Sequence, residues 1–174
     1  MKNKADEIIT MLGRGTDLLS RIDDAVYCKS VDLAFKGTLG GHFRHDLDHY
    51  LAFLDGLDAG RIDYESRKRD DRIETDRVAA IALSREICDR LARLAAEGTD
   101  ESVFVRQEGS GRGDDARWMP SSRLRELDFL LSHTVHHQAL TAIICRLVGV
   151  EVDEEFGVAP STLRHRERLR SCAR

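Results

Sequence analysis

Apolar residues return at helical spacing in four stretches of this chain. From Lys4 to Val26, residues Ile8, Met11, Leu12, Leu18, Leu19 and Ile22 mark a first helix, weakened in the middle by Gly13 and Gly15. After a connector, Phe43, Leu47, Tyr50, Leu51 and Leu54 mark a second, stopping near Asp58-Ala59-Gly60. Val78, Ile81, Ile87, Leu91 and Leu94 predict a third, from Asp76 to about Ala96. The fourth is the longest and most apolar: it opens at Ser122, a good N-cap, and runs through Leu127, Leu130, Leu131 and Ile144 to a stop at Gly149.

The segments between them read differently. Arg61–Asp76 is dense in both signs of charge and predicts an exposed, solvated connector rather than a lid. Val103-Phe104-Val105 predicts a short strand, with the segment around Trp118 and Met119 as the return arm of a hairpin. The turn between them, Gly109 to Asp115, has the glycines of a phosphate cradle but not the Lys-Ser/Thr ending or the helix that a P-loop needs. A short basic helix is expected after Pro160-Ser161. These elements predict an all-α class: one domain over residues 1–174, an antiparallel four-helix bundle with a small hairpin inserted before the last bundle helix.

Composition narrows the partners. Against 31 acidic residues stand 27 lysines and arginines, a net charge of −4 that offers no attraction to a phosphate backbone, so nucleic acid is not an expected partner. No apolar run is long enough to cross a membrane or to act as a signal segment. Cys28, Cys88, Cys145 and Cys172 are too scattered for a disulfide framework and read as free thiols of a cytoplasmic protein.

The chemistry lies in the seven histidines. His133 and His137, at i and i+4 on the fourth helix, fall near the centre of its apolar face, the spacing at which two imidazoles ligate one cation. Core histidines satisfied by hydrogen bonds would give the same pattern, and the absence of a glutamate inside the motif speaks against a zinc-protease site. On the second helix, His42, His45 and His49 lie opposite Phe43, Leu47, Leu51 and Leu54. Either the leucine face packs inside and the histidines face solvent or a partner, or the histidines face inward and the leucine face buries against a second copy of the chain. The residues alone leave both arrangements open.

The order of helices, with "GGHFRHDLDHY" on the second and "LSHTVHHQALTAI" on the last, resembles the DinB-like (DinB/YfiT) superfamily of four-helix-bundle metalloenzymes. The resemblance runs from the first helix to Val150. It implies a divalent metal (Zn, Ni or Fe) on His133, His137 and a helix-two histidine, best matched by His45, with His49 as its rival or as a fourth ligand and His42, at the helix start, a poorer match. It also implies chemistry in which the metal acidifies water or a thiol. Members of that superfamily include transferases using low-molecular-weight thiols such as bacillithiol or mycothiol, thiol-dependent isomerases and metal-dependent hydrolases. A metal-dependent thiol transferase or hydrolase acting on a small molecule, as a homodimer, is therefore expected. A non-catalytic dimeric metal-binding or stress-related bundle is the alternative.

Around this constellation, Glu126 is the candidate acid/base. Asp46 and Asp48 read as solvated helix charges before carboxylates that steady an imidazole. Arg67, Arg69, Arg72 and Arg77 read as ion-paired before binders of an anionic cosubstrate, and Trp118 and Met119 as a cap on the core before a lid. Cys145 lies too far around the helix to be a ligand.

Overall fold

The computed structural model describes residues 1–111 and 116–172 and is mostly helical, with a small three-stranded sheet. The first helix, α1 (Lys2–Arg21), buries Ile8, Met11, Leu12, Gly15, Leu18 and Leu19 on one face. It is shorter than its apolar pattern suggests. Ile22 is extended, and the Asp23 carboxylate accepts the Val26 N–H at 2.8 Å, so a separate turn, α2 (Asp24–Tyr27), begins there. Local capping outcompetes continuation of the longer helix.

Thr38 caps α3 (Leu39–Gly56), its hydroxyl accepting the Gly41 N–H at 2.8 Å. Asp76 caps α5 (Arg77–Glu97), which ends at Gly98 in the left-handed region, φ 76°. Ser122 caps α6 (Arg123–Leu147), and α7 (Pro160–Cys172) follows. Two strands, β2 (Ser102–Arg106) and β3 (Trp118–Ser122), form the expected antiparallel pair. Part of their Gly-rich turn, residues 112–115, lies outside the described residues.

The charged connector is more ordered than its composition suggests. Its first two residues form β1 (Arg61–Ile62), parallel to β2, and Asp70 caps a short helix, α4 (Asp71–Thr75). Its apolar residues Ile62 and Ile73 are buried and anchor it to the core. Arg106, itself buried, then clamps the intervening loop, pairing with Asp63 at 2.9 Å and Glu65 at 3.0 Å.

In the tertiary structure α1 packs on α5 and α6, while α3 packs on α4, α5 and α6. Helix α3 is therefore covered on more than one side. Leu47, Tyr50, Phe53 and Leu54 enter the core, and Asp46 and His49 are buried as well. Since the chain itself covers Leu47 and Leu54, that face no longer requires a second copy. Among the described residues no helix is long and apolar enough to cross a membrane.

The approach of α4 to α3 is close: a Cβ at Gly40 would run into the Glu74 carbonyl oxygen. Replacing Gly40 with Ala should cost about 1–3 kcal/mol through backbone displacement. Gly13 lies in the same kind of helix with open space around it, so Gly13→Ala should be neutral or stabilise by up to about 1 kcal/mol. Thermal melts of the two variants against the parent check both outcomes.

Candidate metal centre

Helices α3 and α6 run antiparallel against each other, because contacts that move up one move down the other: His42 meets His137, His45 meets His133, and Tyr50 meets Leu130. Between them stands a row of imidazoles. His45, His49 and His133 each present a ligand atom within 4.8 Å of the other two, a group that could hold a metal ion. His137 packs on the same group, its ring centroid 4.4 Å from His133 and 4.6 Å from His45, and its Nδ1 lies 3.0 Å from Nδ1 of His42.

Two of the three rings, His133 and His49, are held in definite orientations. His133 Nδ1 is 3.1 Å from Asp46 Oδ1, so an Nδ1–H donor leaves the Nε2 lone pair free, 3.2 Å from His45 Nε2. Asp46 also accepts the Thr134 hydroxyl at 3.0 Å, which leaves Thr134 to accept from the Tyr50 hydroxyl at 2.6 Å. His49 Nδ1–H donates to the His45 carbonyl at 2.7 Å, and its Nε2 accepts from Arg67 Nη1 at 3.1 Å. Arg67 is held in turn by the Tyr64 carbonyl oxygen.

Burial sets the protonation. It pushes His45 down to about 4, aided by repulsion from His133 and Arg67, His49 down to about 3 and His137 to about 2. His42 is lowered for the same reason. These rings are neutral near pH 7 and keep lone pairs to offer. Asp46 is raised by desolvation, an effect its hydrogen bond to His133 opposes.

The donor set fits a divalent transition metal. Two imidazole nitrogens at zinc-like bond lengths in a tetrahedral arrangement stand about 3.3 Å apart, close to the 3.2 Å between His45 and His133. An Nδ1–H bound to a carboxylate or a carbonyl is the usual outer support of a ligating imidazole, and His133 and His49 both have it. The Arg67 guanidinium, however, occupies the His49 lone pair. A cation using His49 has to displace it, and one using Nδ1 of His137 has to displace His42.

Other expected residues take different places. Glu126 is buried and accepts the Tyr64 hydroxyl at 2.9 Å and the Ser121 hydroxyl at 2.6 Å, so it reaches the imidazoles only through Tyr64, whose ring stacks on His49 at 5.6 Å. Asp46 and Asp48 are not solvated, being 6% and 4% exposed, because α3 is packed on several sides. Burial raises Asp48, and Arg44 stands 3.9 Å away. Arg72 and Arg77 pair with Asp76 and Asp24, as expected, whereas Arg67 turns to the histidines. Trp118 lies on β3 beneath the Arg61 guanidinium, 5.2 Å from it, and Met119 is half exposed. Cys145 is buried and stands outside the histidine group.

Sequence reasoning missed Tyr64, Phe129 and Thr134, and gave Arg67 an ion-pair role where it meets His49 instead. Thr134 and Gln138 occupy the most buried line of α6, with His133 and His137 on its flank rather than at its centre. A hydropathy wheel turns such polar residues outward; only their hydrogen-bond partners, Asp46 and the Met11 carbonyl, explain why they face in.

The chain is thus a mostly helical protein carrying a three-histidine group able to hold a metal ion. No family model matches it, and no solved structure matches it. A protein of Rhizopus delemar described as FK506-binding protein 5 is similar to it, 30% identical over 104 residues. That likeness covers 60% of this chain, which in turn spans about a quarter of its relative (27%).

The imidazoles lowered by burial make stability depend on pH in a definite direction. In the unfolded chain they take up protons near 6.5, well before the folded protein does, so stability is retained above that pH and lost as pH falls toward about 4. Asp46, raised on folding, acts in the opposite sense, but as one group against several. The melting temperature of chelator-stripped protein should fall steadily between pH 7 and 4.5. A flat profile would contradict neutral burial of the row.

Proposed function

We propose that this protein is a divalent-metal enzyme of the DinB-like kind, a single four-helix-bundle domain built from α1, α3, α5 and α6, acting on a small molecule by thiol-dependent transfer or hydrolysis. One observation carries the reading: His133 is held by the buried Asp46 so that its free nitrogen converges with that of His45. His45 and His133 hold the ion in this proposal, with His49 or His137 as third ligand. A divalent cation bound there supplies Lewis acidity, which lowers the pKa of water or of a thiol near neutral pH.

The chain's own residues prepare the place. Asp46 fixes the His133 tautomer, and the Thr134–Tyr50 pair keeps that carboxylate from turning. Tyr64 and Phe129, 5.2 Å apart, wall the His49 and His133 side against water. A low dielectric strengthens the hold of neutral nitrogens on a cation and gives little room to competing water.

The test begins with untagged protein, stripped and reloaded with Zn, Ni or Fe(II). His133→Ala should abolish binding at the central position, and Asp46→Asn should weaken it about 10–100-fold. Comparing His49→Ala with His137→Ala identifies the third ligand, since only the true one lowers affinity to a similar degree. Loaded protein should then consume a low-molecular-weight thiol in the presence of an electrophile, or hydrolyse an ester or amide probe, and His133→Ala should not. If the parent binds no metal after reconstitution, the proposal fails; metal binding without any turnover refutes the enzymatic half alone.

A further inference from the structure

The imidazole row is longer than the group described above. At its other end His42 Nδ1 and His137 Nδ1 stand 3.0 Å apart, their rings tilted by 46°. This pair borders a small, mostly apolar cavity of about 10 Å³, room for one water-sized occupant, which Leu12, Phe43 and Leu47 line together with Gln138 and Thr141. Gln138 is 4% exposed. Its amide N–H₂ donates to the Met11 carbonyl at 2.6 Å, which identifies the other amide atom as oxygen, and this Oε1 is buried without a hydrogen-bond partner.

We infer that His42 and His137 form a second divalent-cation site, with Gln138 Oε1 as the oxygen donor bordering its cavity and His49 left as third ligand of the central ion. The geometry suits it. Ring nitrogens bound to one zinc-like ion at angles between a right angle and the tetrahedral value lie about 2.9–3.4 Å apart, a range that includes the observed 3.0 Å. Mixed imidazole and amide donors select a borderline transition ion such as Zn(II), Co(II) or Ni(II).

Electrostatics favours this end of the row. The charges acting on His42 and His137 belong to other histidines, whereas Arg67 acts on both His45 and His49. A cation between His42 and His137 therefore displaces no guanidinium. A hydrogen bond between His42 and His137 satisfies those two rings but leaves the Gln138 oxygen unpartnered.

Native mass spectrometry of untagged protein, stripped by chelator and titrated with zinc, counts the ions without reference to activity. The parent chain should saturate at two zinc ions. His42→Ala, a change at a half-buried first-turn residue, should saturate at one. Gln138→Met, which keeps the volume, should retain the tighter ion and weaken the other at least tenfold, with circular dichroism unchanged in both. A parent that stops at one ion overturns the second site and leaves the central one standing, and one that binds none refutes both. Two ions retained in His42→Ala, or loss of all binding in that variant, also overturns the inference, since the second ion would then lie elsewhere or His42 would belong to a single centre.

Discussion

The carboxylate of Asp46 is the constraint on which the rest of this structure depends. A charge or a polar acid buried between two helices is tolerated only when its oxygens are bonded, and breaking such an arrangement typically costs about 3–5 kcal/mol. Asp46 obtains its bonds from His133 and Thr134, both on α6 and one residue apart. Sliding α6 along α3 would remove both at once, so the same contacts that satisfy the carboxylate lock the register of the helix pair. Tyr50, one turn along α3, closes on Thr134 and strengthens that lock. The row of imidazoles is a consequence of this register.

Burial then does the electrostatic work. Imidazoles gathered in one row would repel one another if protonated, and the desolvation that keeps them neutral also makes them ligands. The row is asymmetric: at the His49 end it meets Arg67 and the stacked Tyr64, and at the His42 end a small cavity walled mostly by apolar side chains. Arg67 and Tyr64 are brought there by the clamp of Arg106 on Asp63 and Glu65, so the three-stranded sheet, remote from the helices in sequence terms, positions one side of the centre. Glu126 contributes through the same side chain, holding the Tyr64 hydroxyl.

Much of the helical layout was legible because it rests on local rules. Thr38, Asp76 and Ser122 cap helices through their own side chains, and the apolar residues of α1 and α5 repeat with the helical period. The break at Ile22 shows the limit of periodicity, since the pattern continues while the cap at Asp23 stops the chain. The connector from Arg61 misled for a similar reason. Its many charges mask Ile62 and Ile73, whose burial decides the conformation of the segment.

By itself the sequence determined which residues can do chemistry and along which helices they lie: imidazoles spaced one turn apart on α3 and on α6, and a leucine face opposite the first set. It left open which way α3 turns, because a helix wheel describes one helix and the answer depends on its neighbours. The tertiary structure decided that by packing α4, α5 and α6 around α3, so that the leucine side and the histidine side are both covered by the same chain. It also decided that Asp46 and Asp48, which a local reading places in water, are buried, and that Arg67 approaches a histidine rather than an acid. These outcomes depend on residues far apart in sequence meeting at fixed distances, which no local propensity encodes.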